Sequence, residues 1–561
     1  VRGSALFVQA RAKGAGVKTI IHPPLHRQAH YRLTLRARAS RAVDIHVRVK
    51  TPGRRTLAAQ AFALKPGAWQ TRTRRITVKH ADRVEKGTPL TLELACAGKA
   101  GMWLDRCSLV PTDAMKGWDR EVVGRMKWVD LPLLRFPGGN FVSGYHWRDG
   151  VGPLDGRPIL PNPAWPIVEW NEVGTDDWLN LCEIVGCEPL ICVNAGNGTP
   201  EEAAAWVEYC NGSARTPMGA LRAANGHPKP YNVRLWEIGN ELYGGWQIGH
   251  TAAQGYAERY LVFRKAMLDV DPTINIIANG HTAAWNKALV EHAGGAVRSL
   301  SVHTLENGGR FSRDDEPTAV YMEHMAYVAE YGKRLRTLAA PMREARLKPK
   351  LAITELSIFT NMPELPHMDN LSEALHYSGI VNAAIRSKGL VELITHSALI
   401  NHSAGMTKTR GVVYMHPVWL ALHLYSVQPG VQPVKLDVKG PTFSTEGKWF
   451  DKVASAPLID AVALLDKKDS ALTVFVANRD PCNAVSAELT VDSFRAAGRA
   501  QVSVITGDSV LARNMWTDPE AVTIDRRYAG MGRWPLRLDL PPLSLTRLII
   551  RKRRPLQREV R

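Results

Sequence analysis

Apolar and polar positions along the chain fall into three regimes. From Val1 to about Pro111, short stretches alternate with period two between Gly and Pro breaks, as at 31–37 (YRLTLRA), 44–49 (DIHVRV) and 90–94 (LTLEL). Such a strand shows one face to a core and one to water, so the pattern predicts a β-sandwich. The middle alternates apolar runs of strand length with amphipathic segments of helical length, the signature of βα units and a parallel sheet. Strands are predicted at 133–136, 190–194, 234–239, 274–279, 300–303, 351–355 and 393–396. Helices are predicted at 120–129, 176–185, 200–210, 252–268, 284–292, 318–338, 371–387 and 417–425. From about Ser426 alternation returns, at 471–477, 487–491, 501–505, 536–540 and 545–550, and predicts a second sandwich. The expected domains are therefore 1–112, 113–425 and 426–561.

A closed α/β barrel needs eight strands and eight helices, and the first helix here has no strand before it in the middle region. The expected fold is thus a (β/α)8 barrel between two β-sandwiches, with its first strand absent from this chain. Either that strand lies upstream of Val1, the preferred expectation, with the amino-terminal sandwich inserted between it and the first helix, or some part of the first domain supplies it. The segment 551–561 is charged and expected to fray.

In a barrel, strand ends share one rim, which changes what two of the apolar runs mean. LWEIGNE ends in Glu241 and LAITE in Glu355, three strands later. A retaining sugar hydrolase needs such a pair, one carboxylate to attack the anomeric carbon and one carboxyl group to protonate the leaving oxygen. Arg135, Asn140, Asn194, Asn240 and His303 fall at similar strand ends, where side chains far apart in sequence converge on one bowl.

Composition narrows the class. With 45% hydrophobic and 22% charged residues, and no apolar run near the roughly 20 residues that span a bilayer, the chain reads as a folded protein without membrane segments. The net charge of +19 comes from scattered Lys and Arg; it does not mark a nucleic-acid face, and an acidic polysaccharide nearby explains it as well. Seven cysteines show no metal-like spacing, and Cys96 with Cys107 is left open as a hairpin pair. No basic, apolar leader follows Val1, so any targeting segment is expected to be missing from this chain, with an extracellular or periplasmic site favoured. Trp69 and Trp103 are candidates for a sugar-stacking platform, and core packing is the alternative.

The segments RFPGGNFVSGYHWRDGVGP at 135–153, GTDDW at 174–178, WEIGNELYGGWQIGH at 236–250 and ITE at 353–355 resemble the glycoside hydrolase family 51 α-L-arabinofuranosidases, from about Asp119 to the carboxyl terminus. WLDRCSL at 103–109 resembles a family 4/9 carbohydrate-binding module. The resemblance implies a retaining double displacement with Glu355 as nucleophile and Glu241 as acid/base, their carboxyl groups about 5–5.5 Å apart. It implies that Glu241 is protonated at rest, its pKa raised by Glu355. It further implies that Asn240 binds the 2-hydroxyl and that Arg135, Asn140 and His303 floor the subsite, with Trp246 as a wall. Substrates would be polysaccharides or oligosaccharides, no cofactor or catalytic metal would be needed, and the resemblance suggests a homo-oligomer. Asp105 is a candidate ligand for a structural Ca²⁺ in the first domain. Three departures stand out: Leu305 where the family has tyrosine, no glutamine in SALIN at 397–401, and no first-strand glutamate. They leave room for related endo-glucanase or xylan-active hydrolases, and for a non-catalytic carbohydrate-binding protein with a degenerate barrel.

Overall fold

The computed structural model describes residues 5–553 apart from positions 361, 403, 428, 429, 469, 493 and 531–533, with the backbone alone at 307 and 308. The expectation for 554–561 lies outside the described residues. Two compact units emerge: Val1–Lys127, His146–Gly186 and Lys408–Val413 form one, and Trp128–Tyr145, Cys187–Thr407 and Tyr414–Arg561 the other.

The first unit is built on the predicted sandwich. One antiparallel sheet runs Leu6–Ala10, Ala100–Pro111, His30–Ala39, Gln70–Thr77, and the other runs Gly16–Ile21, Leu90–Cys96, Val43–Lys50, Thr56–Leu64. Alternation does what it predicts: Tyr31, Leu33, Leu35 and Ala37 are buried with Ile45, Val47, Leu92 and Leu94. Three expectations change here. Cys96 and Cys107 lie on different sheets and are both free thiols. The Arg38 guanidinium lies over the Trp103 ring at 4.3 Å and the Trp69 ring at 5.6 Å, so a cation already occupies those indole faces. Asp105, the Ca²⁺ candidate, instead accepts from Arg36 Nε at 2.6 Å.

In the second unit the strands Leu133–Phe136, Glu188–Val193, Leu235–Ile238, Asn275–Ala278, Leu300–Asn307, Leu351–Phe359 and Val391–Ile394 form one parallel sheet in chain order. Flat, its first and sixth strands would stand roughly 24 Å apart, five steps of about 4.8 Å. Instead Arg135 Nη1 donates to Glu355 Oε1 at 3.0 Å. The sheet therefore curls until its ends approach, giving a TIM-barrel-like α/β fold with flanking β domains. Among the described residues no eighth strand joins it.

Boundaries differ in two informative places. Glu355 and His303 were expected at strand ends, yet both strands run on, to Phe359 and Asn307. A bulge between Val302 and His303 leaves Thr354 as the extra residue and sets His303 directly beside Glu355. The helix expected at 318–338 is two, Pro317–Ala329 and Tyr331–Glu344, separated where Glu330 takes ψ 0°. An unpredicted helix, Pro217–Ala224, starts where the Thr216 hydroxyl accepts from Gly219 N and Pro217 fills the first turn.

The carboxyl-terminal part is an antiparallel six-stranded sheet, Gln432–Val434, Ile459–Leu465, Ala471–Asn478, Ser544–Lys552, Ala496–Ile505, Ile524–Gly530, with the separate pair Val485–Leu489 and Leu536–Leu540. Its inner face packs Val474, Val502, Leu548 and Ile550 against Leu538. Its other face is also buried, Val462, Leu464 and Phe475 meeting Ile385 and Tyr425 of the helices Leu371–Arg386 and Pro417–Tyr425. Asp460 fixes that contact, bound by Arg386, Arg479 and Asn382.

Candidate active site

Period two inside the curled sheet builds the site in layers. Leu190, Ile277 and Ala352 pack with Leu133, Leu235 and Leu393 as an apolar floor. Two residues further along the same strands, and so on the same face, stand Cys192, Asn279, Thr354, Arg135, Glu237 and Thr395. The change from hydrocarbon to polar side chains within one i+2 step marks the base of the bowl.

Arg135 organises this layer. Its Nε donates to Glu237 Oε2 at 2.6 Å, Nη1 to Glu355 Oε1 at 3.0 Å and Nη2 to Asn240 Oδ1 at 2.8 Å. A Cβ on Gly138 would collide with Nη1, which is why RFPGG carries glycine there. The Arg135 side chain is 7% exposed and that of Glu237 0%. Burial alone would work against the guanidinium charge, but Glu237 beside it holds the proton more firmly than usual. The same burial and the Glu237 charge push the Cys192 thiol far up, so it is a neutral spacer.

Glu241 leaves the strand on a tight turn. Gly239 has φ 76° and Glu241 itself φ 47°, a left-handed conformation that costs a non-glycine residue roughly 1–3 kcal/mol. Asn279 Oδ1 pins the turn by accepting from Leu242 N at 2.8 Å. The Glu241 carboxylate then meets three donors: His303 Nδ1 at 3.0 Å and the Tyr243 hydroxyl at 3.2 Å on Oε1, and Trp246 Nε1 at 2.9 Å on Oε2. A Cβ on Gly244 would strike the Trp246 ring, so this glycine lets the indole fold back. Tyr243 in turn stacks on His281 with ring centroids 3.6 Å apart.

The electrostatics reverse one expectation. Burial would raise the Glu241 pKa, but the hydrogen bond and charge of His303, with the Trp246 and Tyr243 donors, bring it down to about 2. Burial likewise opposes a charge on His303, yet the Glu355 and Glu241 carboxylates raise its pKa above the ordinary value. The Glu241 pKa is thus pulled down by its donors, not raised by Glu355, and its close partner in the pair is His303. A carboxylate oxygen from each of Glu241 and Glu355 and a nitrogen of His303 lie within 4.8 Å of one another. These three offer ligand atoms to a cation, but donors from Arg135, Tyr243 and Trp246 already occupy the carboxylates, a set suited to proton transfer.

A family model described as the α-L-arabinofuranosidase 1 domain matches residues 125–316, and one described as the α-L-arabinofuranosidase C-terminal domain matches 349–544. The GH51 α-L-arabinofuranosidase of Thermotoga petrophila is 30% identical, with a TM-score of 0.70, over 78% of this chain and 91% of that one. A probable α-L-arabinofuranosidase C of Aspergillus flavus is 31% identical over 78% of this chain and 89% of its own length. The chain belongs to glycoside hydrolase family 51. It is a glycoside hydrolase of the arabinofuranosidase kind. Another family 51 member, the arabinose-bound MgGH51 enzyme, covers 98% of this chain with a TM-score of 0.78 at 19% identity, which extends the shared fold to nearly the whole chain.

Within this family 51 site the structure brings together Arg135, Asn240, Glu241, Trp246, His303 and Glu355 of the residues predicted from sequence. Asn140 stands one link away, its Oδ1 accepting from Gln247 Nε2 at 2.7 Å while Ser143 donates to Gln247 Oε1. Asn194 instead ties down a loop, its Oδ1 accepting from Gly196 N and Asn197 N and its Nδ2 donating to Asn197 and Tyr145 O. Trp246 is 62% exposed and anchored to Glu241 itself. Sequence reasoning missed Glu237, Tyr243, Gln247 and Thr354. Glu237 carried a signal, since a charge between outward Trp236 and Ile238 on an inward position needs a buried partner. Thr354 carried none, because only the bulge makes it a bridge.

Proposed function

We propose that this chain releases arabinofuranosyl units from polysaccharides or oligosaccharides by double displacement with retention, Glu355 attacking the anomeric carbon and Glu241 serving as acid and then base. The observation that carries this reading is the approach of the two carboxylates to within 4.8 Å. Retaining enzymes hold the pair about 5–5.5 Å apart, whereas inverting enzymes leave about 6.5–9.5 Å for a water. Arg135 orients the attacking carboxylate by donating to Glu355 Oε1. Asn240 Nδ2 is buried and, among the described residues, lacks a hydrogen-bond partner, which suits a sugar hydroxyl. On the same reading the seven strands belong to a (β/α)8 barrel and the amino-terminal sandwich is a carbohydrate-binding module.

The test is chemical rescue. With an activated 4-nitrophenyl arabinofuranoside, Glu241→Ala should regain turnover in azide, giving the azide product with retained configuration, because the anion replaces the base-activated water. An inverted azide from this variant would exchange the two roles.

A further inference from the structure

His303 is fixed from both sides, and its two nitrogens have different duties. Nε2 stands 2.9 Å from Thr354 Oγ1, and that hydroxyl donates to Glu237 Oε1 at 3.2 Å. Glu237 accepts on both oxygens, from the Thr354 hydroxyl on Oε1 and from Arg135 Nε on Oε2. The Thr354 hydroxyl hydrogen therefore points to Glu237, its oxygen accepts, and Nε2 of His303 must carry hydrogen whatever the charge of the ring. Only Nδ1 is left to gain or lose a proton, and Nδ1 is the atom 3.0 Å from Glu241 Oε1.

We infer that His303 and Glu241 form a single proton-holding pair, His303 being a positioning residue that stores on Nδ1 the proton Glu241 delivers to the leaving group. The inference rests on the acid/base reading of Glu241 above. In the free enzyme the pair is imidazolium and carboxylate. As the glycosidic bond breaks, the Nδ1 proton passes to Glu241 and a proton passes from Glu241 to the glycosidic oxygen, while Glu355 forms the new bond to the anomeric carbon. His303 is then neutral with Nε2–H intact, and Glu241 is again a carboxylate, ready to take a proton from the attacking water and return it to the pair. Groups facing His303 from the neighbouring elements act on this balance: Glu241 and Glu355 favour its charge, Arg135 opposes it, and its own charge weighs against one on His281. One proton shared by two sites gives the pair a macroscopic titration that neither residue would have alone.

The test compares pH profiles of kcat/KM for wild type, His303→Asn and Thr354→Val, on arabinofuranosides with poor and with activated leaving groups. Wild type should lose activity on the alkaline side as the pair loses its one proton, above the ordinary histidine range. In His303→Asn the amide can still donate to Glu241 but cannot store a proton. Its alkaline limb should move acidward by about one pH unit or more, and kcat/KM should fall at least about tenfold further for the poor leaving group than for the activated one. Thr354→Val frees the Nε2 tautomer and should move the limb the same way by a smaller amount, so the idea stays testable if the histidine variant fails to fold. An unmoved limb with equal losses for both leaving groups would overturn the inference. Failure of azide rescue at Glu241 would instead remove the reading beneath it.

Discussion

Arg135 and Arg36 make nearly the same pair of ion pairs in different settings. Arg135 bridges Glu237 at 2.6 Å and Glu355 at 3.0 Å; Arg36 bridges Asp105 at 2.6 Å and Asp155 at 3.2 Å. The first network is buried, with side chains 7%, 0% and 9% exposed, and the second is wet, at 22%, 22% and 29%. Distance alone would call them equal. In water the Coulomb attraction is largely screened and each ion keeps its hydration; inside the curled sheet the charges depend on one another. The sandwich network is thus an ordinary surface contact. The one in the sheet holds the carboxylate that we propose as the nucleophile.

The largest effect should come from Glu355→Ala, which leaves the buried guanidinium in place but removes the proposed nucleophile. Turnover of any arabinofuranoside should drop by about 10⁴-fold or more. Next in size is stability. Arg135→Ala strands two buried carboxylates and should cost about 3–5 kcal/mol, whereas Arg36→Ala should cost less than about 1 kcal/mol. Equal losses in denaturant unfolding would break the comparison.

A pH dependence sharpens it. Glu241, lowered to about 2, adds stability that is present above its ordinary 4.5 and is lost as pH falls through the lowered value. His303, raised above its ordinary 6.5, adds stability that is present below 6.5 and is lost as pH rises through the raised value. Both contributions coexist between pH 4.5 and 6.5. Across that window Glu241→Gln should be less stable than wild type by about 1.5–3 kcal/mol, and the gap should narrow on either side. A gap that is flat with pH would mean the pair is not ionised.

Much of this was legible in the chain. The seven strands, the alternating β regions at both ends and the paired glutamates follow from period and position, because apolar runs in a parallel sheet have one solution and carboxylates at one rim have few uses. What escaped was local. The break at Glu330 and the bulge at Thr354 leave no composition mark, yet the bulge sets His303 beside Glu355. The direction of the Glu241 pKa shift was misjudged for a similar reason: Glu355 was visible as a neighbour in sequence logic, but His303, Tyr243 and Trp246 converge on the carboxylate only through the fold. Asn194, read as a substrate contact, spends its amide on the loop at Gly196 and Asn197.

The central claim is a double displacement carried by the Glu355 and Glu241 pair, and the configuration of the first-formed product tests it most directly. Hydrolysis of an aryl α-L-arabinofuranoside in the presence of methanol, followed at early times by proton NMR, should give methyl α-L-arabinofuranoside, since two inversions restore the starting anomer. The β-anomer as the first methanolysis product would mean a single displacement, and would contradict the account.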